Sequence, residues 1–244
     1  EYFWYSPTTG ERKTVVSFMF DWGFGTSEGI NDIPFTPRPA ATVGTEGALI
    51  TEGGTSEIRE YDVRGRLQRI FRMDESARPV TQEMIDARVE VLHAAFPRIP
   101  RHVIARGYAE VPMPDALPEF QSLQVDEEGW LWAEVYGWDP ARSKEWVIFD
   151  PDGRARGMVE TPPGLDLRWI GEARILGVWR DELDVEYVRQ HKLMRNGVEV
   201  SAAGLGSFRD PNGPGGCPGR DFGFHGLKMP VLWGLDPGPG FPSG

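Results

Sequence analysis

The chain holds one cysteine, Cys217, and four histidines among 244 residues. A lone thiol excludes an intrachain disulfide framework and any metal site built from clustered cysteines. So few histidines give little material for a nucleophile–base pair, and no Gly-x-Ser-x-Gly elbow occurs. Asparagine is confined to Asn31, Asn196 and Asn212. Cationic residues are outnumbered, 26 Lys and Arg against 37 Asp and Glu, for a net charge of −11. With no local basic stripe to offset that balance, a surface that reads nucleic-acid phosphates is not expected. Long apolar runs are missing as well, no window nearing the roughly 18 residues that a membrane span needs.

What is abundant is turn and ring: 30 Gly, 21 Pro and 11% aromatic residues. That combination favours many short strands over long helices. At roughly 150 residues per domain, the length allows one large domain or two small ones. The first residue is Glu1, not Met, and it leads directly into the strand-like run Tyr2-Phe3-Trp4-Tyr5. The expectation is a segment cut from within a larger protein, for which a missing export signal says nothing about compartment. The composition then changes after Asn196: residues 197–244 hold 13 Gly and 7 Pro and no hydrophobic period. Chain of this kind buries too little apolar surface to offset its ordering entropy. It reads either as a flexible tail or as GC-rich DNA translated out of frame, and Cys217 within it is given no catalytic role.

Internal repetition organises residues 1–196. Three segments share a strand, a tight turn ending in Gly, and a second strand: Glu1 to Arg12, Glu57 to Arg66, and Glu145 to Arg154. In each, an aromatic precedes a short polar residue (Tyr5-Ser6, Tyr61-Asp62, Phe149-Asp150), and Gly follows three residues later, or four in the first copy. The polar side chain can accept turn N–H groups while Gly supplies positive φ, so each segment is an expected β-hairpin. A further hairpin precedes two of them. Leu123 to Trp132 turns at Asp126 and Gly129, and Ala41 to Ile50 matches it with Gly44 at the Asp position. A third unit runs through strands near residues 167–171, 175–179 and 185–189, turning at Asp181 to Asp184. Units of four short antiparallel strands with aromatics between them point to β-propeller blades. Gly10, Gly65 and Gly153 are 55 and 88 residues apart, so the longer interval holds an insertion, about 74–117. Within it Ile85, Val89, Leu92 and Phe96 share one face of a predicted helix over 81–96, capped by Thr81 and stopped by Pro97 and Pro100.

The runs Val125 to Trp132 and Trp146 to Arg154, with Ile170-Gly171 and Leu176 to Glu186 downstream, resemble bacterial six-bladed β-propeller proteins related to the NHL-repeat propellers. The resemblance covers about residues 1–195 and implies an all-β fold with about four of an expected six blades present, at roughly 40–45 residues each. It also implies an exported, periplasmic or envelope location. An incomplete ring would leave strand edges open, so the chain alone is expected to be oligomeric or poorly soluble.

The function expected from these features is non-enzymatic: a binding or scaffolding module for an unidentified protein or small molecule. The alternative, implied by six-bladed lactonases, is a metal-dependent hydrolase whose metal is held by carboxylate and amide groups from several blades. For metal the candidates are Asn31 and Asp126. The latter lies in the acidic cluster Asp126-Glu127-Glu128, which can ligate a hard cation such as Ca²⁺ or simply form a solvated turn. No other cofactor and no catalytic residue is indicated. His93 and His102 flank a Pro-containing loop, with His93 expected to be partly exposed and His191 to be a surface position; His225 lies in the anomalous C-terminal stretch. Gly23-Phe24-Gly25 and Gly53-Gly54-Thr55 lack the helix and Lys of a phosphate loop and read as turns. Of the tryptophans, Trp130, Trp132, Trp146, Trp169 and Trp179 read as core. Trp138, in the loop Tyr136-Gly137-Trp138-Asp139-Pro140, is the candidate for stacking on a ligand ring.

Overall fold

The structure, a computed structural model, describes residues 2–5, 10–16, 33–73, 77–139, 141–195, 198–199 and 228–229. They form a mostly β protein of antiparallel sheets with two helices and, among the described residues, no closed barrel. No helix among them is long and apolar enough to cross a membrane. The chain divides into two compact units, Glu1–Thr42 with Glu46–Ser122, and Val43–Thr45 with Leu123–Gly244.

In the first unit β1 (Tyr2–Tyr5) pairs antiparallel with β2 (Arg12–Val16), the expected first hairpin, with Gly10 at φ 70° before the returning strand. A four-stranded sheet follows in chain order: β3 (Ala40–Val43), β4 (Gly47–Thr51), β5 (Glu57–Asp62) and β6 (Leu67–Arg72). One face of this meander carries Leu49, Ile58 and Phe71, all buried; cross-strand pairing puts Thr51 opposite Ile58 and Ile58 opposite Phe71.

The insertion is closed at its base by two short antiparallel stretches, with Leu117 N–H donating to Arg78 O (2.8 Å) and Val80 N–H to Asp115 O (3.0 Å). Helix α1 (Gln82–Ala95) begins as expected, the Thr81 hydroxyl accepting from Met84 N–H. Val89 is buried, but Phe96 departs from the predicted apolar face. It is the C-cap, it has left helical geometry ahead of Pro97, and it is 56% exposed. The expectation of one helix is corrected to two: α2 (Arg101–Glu110) starts immediately after Pro100. The two prolines stop α1, and Pro100 also opens α2, a position whose missing N–H costs a helix nothing. Val89 of α1 packs with Ile104, Tyr108 and Val111 of the second helix and its cap, with Leu92 alongside. Burial of this small cluster is what holds helices of only 14 and 10 residues, lengths marginal on their own.

Two larger sheets follow in chain order. The first is an up-and-down meander of β7 (Phe120–Val125), β8 (Leu131–Val135), β9 (Lys144–Phe149) and β10 (Ala155–Thr161). The second has three strands: β11 (Asp166–Ile170), β12 (Arg174–Arg180) and β13 (Glu186–Lys192). Short strands β14 (Met194–Arg195) and β15 (Val198–Glu199) pair with each other, and β16 (Lys228–Met229) lies parallel to β10. Register explains burial. Trp132 opposes Ile148, and Trp146 opposes Val159, so these side chains share one face, where they meet Leu167, Ile170 and Ile175 from the three-stranded sheet and Leu165 and Leu193 beside it. Leu131, Ala133, Val135, Val147 and Phe149 alternate onto the opposite face and are buried too. Two-sided burial is why β8 and β9 read as continuous apolar runs. Gly177 leaves room for the chain entering β11: a Cβ there would lie 2.7 Å from the Leu165 side chain.

Candidate functional site

Four hairpin turns are built alike, and they account for the acidic candidates. At Asp62, Asp126, Asp150 and Asp181 the aspartate N–H donates to the carbonyl four residues on, at 3.0–3.1 Å. The N–H three residues on donates back to the aspartate carbonyl, at 2.8–3.1 Å. That third residue has positive φ: Gly65 (75°), Gly129 (84°), Gly153 (87°) and, in the fourth turn, Asp184 (61°). One carboxylate oxygen, Oδ1, accepts the N–H four residues on in the first three turns (Arg66, Trp130, Arg154) and from Val185 in the fourth. The other, Oδ2, takes a side-chain donor six residues on, which stands on the returning strand: Gln68, Trp132, Arg156 or Tyr187.

In this pattern Asp126 is buried and uses both oxygens within its own turn. Oδ1 accepts Glu128 N–H (3.0 Å) and Trp130 N–H (2.8 Å), while Oδ2 accepts the Trp132 indole N–H (3.1 Å). Burial raises its carboxyl above the usual carboxylate value despite those donors. Burial pushes Asp150 the same way, but the Arg154 N–H and the Arg156 guanidinium hold it below that value. The neighbouring Glu127 points elsewhere, accepting the Trp169 indole N–H at 3.1 Å. Among the described residues no three His, Cys, Asp or Glu side chains gather as a cation site. Asn31, Cys217 and His225 lie outside the described residues.

The histidines are dispersed. His93 is half-buried and its Nδ1 lies 3.0 Å from Ile99 O; His102 is exposed on α2. His191 corrects the sequence-based expectation: it is buried, not a surface residue. It sits opposite Ile175, so its side chain falls on the face of the three-stranded sheet that meets the core, and Gln190 and Lys192 fall on the other. Burial, followed by the charge of Arg189, lowers its pKa below the usual 6.5.

Trp138 stands apart from the other indoles. Trp132 and Trp146 are fully buried, the latter donating to Thr161 Oγ1 (3.1 Å), and Trp130 and Trp179 pack against the same core. Trp169, expected in the core, is 40% exposed because a bulge between Leu167 and Trp169 turns it off the buried face. Trp138 is half-buried on the loop joining β8 to β9. Asp139 shapes that loop, accepting Ala141 N–H (3.0 Å) on Oδ1 and Arg142 Nε–H (3.3 Å) on Oδ2. The Arg142 guanidinium thereby lies over the Trp138 ring, 5.9 Å from its centroid. The sequence matches no family model and no curated protein. At the base of the same loop Glu134 of β8, almost wholly buried, pairs with Lys144 Nζ of β9 at 3.2 Å. Sequence reasoning missed Arg142, Asp139 and Glu134. For Glu134 the signal was present: an acid inside the apolar strand Leu131-Trp132-Ala133-Glu134-Val135 needs a fixed partner. The loop thus offers a ring face, a largely exposed guanidinium and a turn shaped by Asp139, an arrangement suited to binding.

Proposed function

We propose that the chain is part of a β-propeller of the bacterial six-bladed, NHL-related kind, acting as a non-enzymatic binding module. Three meander sheets in chain order, two of them four-stranded, support the fold reading. The functional reading rests on one observation: among the described residues Trp138 is an indole held out of the core on a loop, with a guanidinium beside it. An indole face stacks on planar or sugar rings, and Arg142 adds charge for an anionic substituent. The ligand class is therefore a ring bearing a carboxylate or similar anion, and an exported location fits the resemblance.

The test is a thermal-shift and tryptophan-fluorescence titration of the whole chain with glucuronate and benzoate, and separately with Ca²⁺, Zn²⁺ and Mg²⁺. A ring–anion probe at about 100 times its Kd adds ~2.7 kcal/mol of stability, and the shift disappears in Trp138→Ala. Stabilisation by a cation alone, unaffected by Trp138→Ala, overturns the reading and favours the metal-dependent hydrolase. The absence of any ring–anion response overturns it as well.

A further inference from the structure

One stretch of the chain reverses the charge balance and turns its large apolar residues outward. From Val91 to Ala109 there is no Asp or Glu, while Arg98, Arg101, Arg106, His93 and His102 fall within it, in a chain of net charge −11. The stretch spans the end of α1, most of α2 and the loop between them, and residues 94–102 are exposed without interruption. In that loop Phe96 is 56% exposed and Ile99 41%. Ile99 N–H donates to Phe96 O (2.9 Å), and His93 Nδ1 lies 3.0 Å from Ile99 O. One tight turn therefore sets the Cα atoms of Phe96 and Ile99 within about 7 Å of each other. Val91 and Ala95, both exposed, carry the apolar surface back along α1. Pro97 and Pro100 stiffen the turn, so it has little chain entropy left to lose on binding. The loop stands at the far end of the insertion from its base. Helix α1 begins just after the Val80–Asp115 bond, and its 14 residues rise about 21 Å.

We propose that this tip binds the surface of an anionic lipid bilayer, Phe96 and Ile99 entering the headgroup boundary and Arg98 lying among the phosphates. Interfacial segments have this make-up, apolar side chains that sink about 5–10 Å beside cations that stay at the headgroups. Charge selects the sign of the surface. Arg101 pairs with Glu90 of α1, whereas Arg98, set between the two apolar residues of the turn, has no ion pair among the described residues. Shape selects a membrane over a folded protein. Nine consecutive exposed residues around a turn make a convex tip, which a fluid layer can close around but a folded partner must match with a preformed pocket. A search for a basic stripe passes over this stretch because its cations are spread along a loop and a helix. The inference stands on the helical insertion and is independent of the ligand assigned to the Trp138 loop.

The experiment is co-flotation of the full chain with vesicles of phosphatidylcholine alone and of equal parts phosphatidylcholine and phosphatidylglycerol. Binding is expected to the anionic vesicles only, and it weakens as salt is added. Phe96→Ser together with Ile99→Ser lowers it by about tenfold or more. Arg98→Glu lowers it as well, and circular dichroism stays unchanged in both variants because all three side chains are exposed. In a Cys217→Ser background, an environment-sensitive dye on Ile99→Cys shifts to the blue with anionic vesicles. The same dye on Asp152→Cys, in an exposed turn outside the insertion, does not. If the double serine variant unfolds, the two dyes decide alone. No flotation with anionic vesicles overturns the proposal, as do equal binding to both vesicle types, binding indifferent to the serine pair, and a blue shift as large at Asp152 as at Ile99. Capture of poly-glutamate by the tip without vesicle binding overturns it in favour of an acidic protein partner.

Discussion

The indole N–H of Trp132 donates to Oδ2 of Asp126 across 3.1 Å, tying the core of β8 to the turn that precedes it. The same carboxylate receives the Glu128 and Trp130 N–H groups, so one buried side chain serves three donors. Of the two readings the sequence offers for this acidic cluster, a cation ligand or a turn, these hydrogen bonds describe the turn, with Asp126 as its internal brace.

Asp126→Ala leaves those donors without an acceptor and is expected to cost about 2–3 kcal/mol by urea unfolding, since each buried unsatisfied group costs about 1–3 kcal/mol. Asp62→Ala, in the solvent-exposed copy of the turn, costs less. Equal losses in the two variants would contradict the role of burial.

Asp184 occupies the positive-φ position that Gly fills in the other three turns. Asp184→Gly relieves backbone strain and forfeits only an exposed ion pair to Arg180 (3.4 Å). The expected change is a stabilisation of about 0.5–1 kcal/mol, read as a higher Tm. A lower Tm shows that the Arg180 contact outweighs the strain.

His191 makes stability sensitive to acid. Its folded-state pKa lies below the unfolded value of 6.5, so the unfolded state binds the proton more readily. Above that value the group has no effect; as pH falls below it, stability is lost until the folded value is passed. The urea midpoint should drop as pH falls through about 6.5 and below, and His191→Gln should flatten that drop. An equally steep fall in the variant assigns the effect to other groups.

Trp138, on the loop before β9, and Trp146, within β9, differ in burial. Trp146→Ala removes a fully buried indole bonded to Thr161 and is expected to cost about 3–5 kcal/mol. Trp138→Ala is expected to stay within about 1 kcal/mol of the parent, leaving its binding phenotype interpretable. Calorimetry of both variants checks the contrast.

The hairpins were legible because their information is local. Asp followed three residues later by Gly, between alternating apolar residues, specifies a turn and its two strands, and the strands flanking residues 62–65, 126–129 and 150–153 lie where that pattern places them. Thr81 was legible as a helix cap for the same reason. Helix α2 was not, because Arg101-His102-Val103-Ile104-Ala105-Arg106-Gly107 has a weak apolar face whose burial depends on Val89 across the helical pair.

Sequence alone therefore determined the turns, the strand order and the mostly β character, all set by backbone geometry over a few residues. Tertiary structure decided which face of each strand is covered. Alternation in β13 is ambiguous by one residue until Ile175 is placed opposite His191, and only that register buries the histidine and leaves Val188 outside. Only packing, likewise, separates Trp138 beside Arg142 from the indoles of the core, because an aromatic residue carries the same local preference in either place.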